Sequence, residues 1–408
     1  MKRTDKNGLN TTDNHGRTDY LVLFLTFFCL LSFTLGQVGR LSFFNQEING
    51  YVYEFFALIL LSILVIRRGF NPIYEYQKKY RSVLIFLGFL IGTFIPRISY
   101  FSLFENVASF LYLLRLVFYF LAFIYVLYEN KENRHNKTDK TNRNGNIFLN
   151  ISAGFIIFFS LLQYFLYPNF RNLSYLGWDP HWYRLVGTFF EPPVAGAIFG
   201  LFFLYYFFQA EFFKTYAYIR YVLMGIFMVF MFFTYSRTTY LAFLFTVILY
   251  LLNQKLGKIV VPLIIGFFAL LFLLPRPFGE SVNLLRVFSI ESRLSDDAQA
   301  IQTWQKSALA GIGYNRIRYV KNVDNKTSHA ASGYSSSFII ILVTGGIIGL
   351  IAFILSLIEL GVQSQFALYG IVFLSIASLT DNVLLHPFVL FLFLLTSAVT
   401  GEDRLKKI

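Results

Sequence analysis

SFIIILVTGGIIGLIAFILSLI, residues 337–358, runs for 22 positions without a charged side chain. At about 1.5 Å per residue a helix of that length reaches about 33 Å, enough to cross the roughly 30 Å hydrocarbon layer of a bilayer. Working outward, apolar runs of similar character recur near 20–37, 51–66, 81–96, 107–128, 147–167, 191–208, 217–234, 238–252, 258–275, 365–380 and 383–399. The pattern predicts an all-α polytopic membrane protein, 1–408 as one membrane domain, with about twelve spans. The composition agrees: 56% of the 408 residues are hydrophobic and only 14% charged, more apolar surface than a soluble core absorbs. The first run has no small-x-small cleavage site before Gln37, so it reads as a retained span rather than a signal peptide.

The net charge of +13 does not point to nucleic acid, because the basic residues fall in short clusters between apolar runs. Every second loop is basic, from Lys2, Arg3, Lys6 and Arg17 through Arg67, Arg68, Lys78, Lys79 and Arg81 to Arg404, Lys406 and Lys407. This alternation puts both termini in the cytoplasm and favours an even number of spans. The opposite side receives two long loops, 168–190 and 275–336, the second between the ninth and tenth spans. The longer one contains SRLSDDAQAIQTWQKSALAGIGYN, whose apolar spacing predicts a helix ended by glycine. The cytoplasmic stretch ENKENRHNKTDKTNRNGN is polar filler, and no internal repeat marks paired transporter halves. Cys29, the single cysteine, permits neither an intramolecular disulfide nor a thiolate metal site.

The unusual polar residues, Arg184, Glu191, Arg237, His329, Asp381 and His386, all fall at outer span ends or in outer loops. Glu191 precedes Pro192 and Pro193, which predicts an extended residue followed by a helix start. Two readings stand side by side: a charge–dipole contact at a helix start, or a fixed carboxylate in a cavity that accepts a proton. Gly196 and Gly200 let this helix pack closely on a neighbour. Arg237 tops a tight hairpin, and with Arg184 it offers donors suited to a pyrophosphate or simply snorkels. His329 is a lone loop histidine, solvated as readily as catalytic. Asp296 and Asp297 suggest a divalent cation or a solvated helix face, with no third ligand in view. Trp178, Trp182 and Tyr183 suit sugar stacking and an interfacial aromatic belt equally.

RLVGTFFEPP at 184–193, TYSRTTYLAF at 234–243, the loop with GIGYN and SSSFIIILVTGGIIGL at 335–350 together resemble the Wzy-type O-antigen polymerase and O-antigen ligase family. The resemblance covers about Arg184 to Leu350 and rests on order and topology more than on any single motif. It implies a GT-C-like fold and transfer of an undecaprenyl-pyrophosphate-linked oligosaccharide at the periplasmic face of the bacterial inner membrane. No cofactor and no metal are implied; the partners are lipid-linked donor and acceptor, membrane lipid and a chain-length regulator. Arg184 matches the family arginine before G-x-F-x-E-P, and Arg237 the arginine of the S-R hairpin. Where ligases carry His-Asn before Ser-Phe, this chain has Ser335 and Ser336, a departure that favours polymerase over ligase. The expected catalytic set is therefore Glu191, Arg237, Arg184 and His329, with Arg293, Arg316, Arg318, Trp182 and Tyr183 binding substrate. A ligase acting on lipid A core and a flippase of lipid-linked oligosaccharide are the competing enzyme and transporter readings; a non-enzymatic scaffold gives no reason for the outer arginines.

Overall fold

The computed structural model describes residues 11–135, 140–176, 181–275, 282–284, 288–321 and 333–401. The protein is an all-α membrane protein. The helices are α1 Thr11–Phe33, α2 Val52–Arg68, α3 Asn71–Tyr76, α4 Arg81–Phe94, α5 Leu103–His135, α6 Lys140–Leu166, α7 Pro192–Phe208 and α8 Ala217–Phe233. After them come α9 Arg237–Asn253, α10 Val260–Leu273, α11 Phe288–Gln305, α12 Ile317–Val320, α13 Ser337–Gly361, α14 Gln365–Ala377 and α15 Pro387–Thr400. Each apolar run read from the sequence falls on a helix. Among the described residues, five stretches are long and apolar enough to cross a membrane: Arg81–Tyr100, Leu103–Glu132, Asn144–Leu166, Lys214–Phe233 and Ser337–Gly361. The sequence reading has no counterpart for the short helices α3 and α12, nor for a two-stranded antiparallel hairpin of β1 Arg40–Phe43 and β2 Ile48–Tyr51.

α7 is the mast of the bundle. Its apolar residues lie on every face, and it is buried around its whole circumference between α8, α9, α14 and α15. The expectation for its glycines holds: a side chain on Gly196 would strike Thr239 of α9, and one on Gly200 the ring of Phe373 in α14. α10 is the opposite case, with Phe267 its only buried residue.

The predicted loop helix is α11, which ends at Gln305, short of the glycine stop. The chain that follows does not stay in the loop. Gly346 in the middle of α13 has φ 65° and ψ −168°, which breaks the helix. At membrane depth the freed backbone groups need partners, and residues 308–313 supply them. Ile347 N–H donates to the Ala308 carbonyl at 2.9 Å, and Ile312 N–H and Gly313 N–H donate to Val343 and Thr344 carbonyls at 3.0 Å each. Gly311, at φ 70°, lies against the Thr344 backbone, where a β-carbon has no room. A small apolar core of Ala300, Ile312, Ile317, Tyr334, Ile340 and Val343 seals the joint.

Gly346→Ala is expected to cost about 1–3 kcal/mol from the left-handed backbone alone, and more because the added carbon meets the Leu309 carbonyl. Gly88→Ala in α4, where a β-carbon meets nothing within 4 Å, is the control and leaves stability equal or higher. Thermal unfolding of the two purified variants in detergent checks the contrast.

Candidate functional site

The first turns of three helices, α7, α13 and α15, line one polar cavity of about 220 Å³. The residue before each helix is extended: Glu191 (φ −114°, ψ 121°), Ser336 (φ −96°, ψ 135°) and His386 (φ −68°, ψ 128°). Ser336 caps its helix by accepting from Ile339 N–H. Glu191 and His386 make no side-chain capping bond, and each is followed by proline, whose missing N–H leaves less to cap. Both side chains serve the cavity instead. His386 Nε2 lies 3.9 Å from Glu191 Oε1, too long for a hydrogen bond. The positive ends of these helices favour negative charge in the space between them.

α9 is tied to the rim. Thr238 Oγ1 donates to Asp381 Oδ2 at 2.6 Å, and Arg293 of α11 pairs with Asp381 Oδ1 at 2.6 Å. Arg237, the first residue of α9, donates to the Leu284 carbonyl at 3.2 Å and feels both Arg293 and Asp381. Ser337 Oγ donates to Asn382 at 3.0 Å, which closes the ring of contacts around the α14–α15 turn.

The facing wall comes from the hairpin, α5 and the segment after Gly313, and includes Arg40, Tyr112, Arg115, Tyr314, Arg318 and Tyr319. Arg115 pairs with Glu54 at 2.8 Å and lies 4.8 Å from the Tyr112 ring. Glu54 also accepts from Tyr51 N–H at 3.0 Å and from the Tyr119 hydroxyl, which in turn bonds Tyr53 at 2.6 Å. Tyr319 bonds Glu47 at 3.2 Å, and burial together with that carboxylate holds its phenol well above the usual range. The wall thus carries hydroxyls, guanidinium groups and aromatic faces together.

The residues expected from sequence divide. Glu191 and Arg318 line the cavity; Arg237 and Arg293 stand at its rim through Asp381. Four of the expected residues stand apart from this cavity. Arg184 is only 3% exposed and is not part of the cavity wall; its carbonyl accepts from Gln163. Arg316 is fully buried, 4.0 Å from the Phe94 ring and 4.6 Å from Phe101, with Asn106 accepting from it at 2.6 Å. Burial and nearby Arg97 push Arg316 down to about 10. Trp182 and Tyr183 stack on each other at 5.3 Å with Arg171 over the indole, away from the cavity. His329 and Trp178 lie outside the described residues.

Asp296 accepts from Lys321 at 2.8 Å and from Ser335 at 3.2 Å, so one carboxylate of the acidic pair is engaged by a cation of the chain itself. Among the described residues no group of three or more His, Cys, Asp or Glu side chains comes together as a metal site. Site residues that sequence reasoning missed include Arg115 and its partner Glu54, with Arg40, Tyr112, Tyr314 and Tyr319 beside them on the facing wall; Arg115 and Glu54 are the two that left a readable signal. Their signal was a charge inside an apolar run, but both precede the segment that carries the family resemblance.

The Glu54–Arg115 pair is mostly buried, at 15% and 17% exposure. Arg115→Met alone is expected to lower unfolding free energy by about 3 kcal/mol, because it strands a carboxylate. Adding Glu54→Gln recovers a substantial part, and a double-mutant cycle of thermal unfolding measures the coupling. Neither a protein-family model nor a curated protein matches the chain.

Proposed function

We propose that this chain is a polysaccharide polymerase of the Wzy type, joining undecaprenyl-pyrophosphate-linked repeat units at the periplasmic face of the inner membrane. The observation that carries the reading is Glu191, held beside His386 in a polar cavity at the ends of apolar helices. In this reading all twelve apolar helices cross the bilayer, both termini are cytoplasmic, and the fold is of the GT-C type with its large loop after the ninth span.

The reaction replaces one bond at the anomeric carbon. The C–O bond to pyrophosphate breaks, the C–O bond to the acceptor hydroxyl forms, and the hydroxyl proton passes to Glu191. Single displacement inverts the anomeric carbon. Arg237 and Arg293 stabilise the departing pyrophosphate, and Asp381 keeps the two like charges together at the rim. An apolar groove of about 420 Å³ between α8, α9 and α10, lined by Met228, Phe243, Leu263, Phe267 and Leu270, suits the donor's lipid tail. The cavity's tyrosines offer apolar faces to sugar rings. One observation favours a flippase, the break in α13, since broken helices line many transport sites. Here, however, the chain itself fills the break.

Arg237→Ala is expected to abolish polymer while the protein stays in the membrane; a normal ladder of chain lengths on a polysaccharide gel refutes the assignment. Glu191→Gln is expected to leave a single repeat unit on the acceptor. Wild-type polymer from that variant reduces Glu191 to a helix start, and unattached lipid-linked polymer in a deletion strain points to a ligase instead.

A further inference from the structure

The β1–β2 hairpin has two chemically different faces. Its register pairs Arg40 with Tyr51, Leu41 with Gly50, Ser42 with Asn49 and Phe43 with Ile48. Paired residues share a face and successive residues alternate. One face is therefore Arg40, Ser42, Asn49 and Tyr51; the other is Leu41, Phe43, Ile48 and Gly50. Three residues of the polar face, Arg40, Asn49 and Tyr51, line the cavity. On the other side Leu41 is 50% exposed, Phe43 53% and Phe44, in the turn, 67%.

That exposed apolar surface is continuous with the membrane-facing side of α5. Leu103, Val107, Leu111 and Leu114 form one exposed stripe along the helix. The Phe44 ring meets Phe104 of α5 at 5.3 Å, so the tip of the hairpin joins the head of the stripe. Depth follows from helix length. Arg115 is already paired with Glu54; beyond it no charged residue occurs before Glu129, and about 20 residues back from Tyr128 set the hydrocarbon boundary near Ala108. Phe104 and the hairpin then sit at the level of the lipid headgroups. A two-stranded hairpin with open edges belongs there, where its unpaired backbone groups still meet water.

We infer that the hairpin is an interfacial anchor, with Leu41, Phe43 and Phe44 against phospholipid and its reverse face forming the membrane-side wall of the cavity. Tyr112 holds it from α5 by donating to the Glu47 carbonyl and accepting from Asn49 N–H. Arg318 holds it from the α12 side through the Gln46 carbonyl. A wall fixed in this way divides the polar cavity from lipid by the thickness of one β-ribbon. The inference stands whether or not the cavity performs glycosyl transfer.

The single, buried cysteine makes the test direct. In the full chain with Cys29→Ser, a nitroxide is attached in turn to Leu41→Cys, Phe43→Cys and Phe44→Cys, with Ser42→Cys and Leu111→Cys as references. The protein is reconstituted in vesicles of phosphatidylethanolamine and phosphatidylglycerol. Relaxation is read with dissolved oxygen, which concentrates in lipid, and with a water-soluble nickel chelate. The oxygen-to-chelate ratio at 41, 43 and 44 is expected to lie between that at Leu111→Cys, where oxygen dominates, and that at Ser42→Cys, where the chelate does. Dominance of the nickel chelate at 43 and 44 as strong as at Ser42→Cys overturns the inference by placing the hairpin in water. Loss of both relaxants there, relative to Leu111→Cys, overturns it by showing that a second copy or another protein covers the face.

Discussion

The break at Gly346 and the backbone that fills it are the joint on which the cavity depends. Residues 308–313 bond to both halves of α13, and the residues immediately after them are Tyr314, Asn315, Ile317, Arg318 and Tyr319 of the cavity wall. Between these, Arg316 turns the other way and is clamped between two phenylalanine rings and Asn106. Ser109 adds a bond to the Asn315 carbonyl, so α5 grips the same segment a second time. A loop that is long in sequence is thereby short in freedom where it matters.

Against this wall stand the starts of α7, α13 and α15, with α9 bound to the rim. A bundle of apolar helices has few ways to hold charge, and helix N-termini are the cheapest. Glu191 occupies such a position, Asp381 lies in the α14–α15 turn against Thr238 of α9, and guanidinium groups face them from the hairpin, α5, α11 and α12. Proline after Glu191 and after His386 fixes the backbone entering each helix, so neither side chain spends itself on capping. The cavity therefore holds both signs of charge in fixed positions, which suits a ligand with a polar head and an anionic group.

What was legible in the sequence was local or periodic. Apolar runs announced the helices, and the Glu-Pro-Pro stretch announced where α7 begins because proline geometry acts on its immediate neighbours. What required the fold was any statement about which way a side chain points after a turn. Arg316 and Arg318 are two residues apart and chemically alike, yet one is sealed in aromatic packing and the other lines the cavity. Only the docking of 308–313 decides between them. Arg184 sat in a motif and looked like a site residue; burial removed it from the cavity. The hairpin escaped notice because four-residue strands leave too short a pattern, and Arg115 because one charge in a long apolar run is as easily a snorkelling residue.

The same joint has a consequence for how the chain is made. The segment that fills the break precedes the helix it fills, so 308–313 has already been synthesised when α13 leaves the ribosome. The two halves of α13 then meet a waiting partner, and their unpaired carbonyls and amides need not wait in lipid for a later part of the chain. In the reverse order a broken helix would enter the bilayer first and expose its gap. The direction of translation thus protects a helix that is unable to satisfy its own backbone at Gly346.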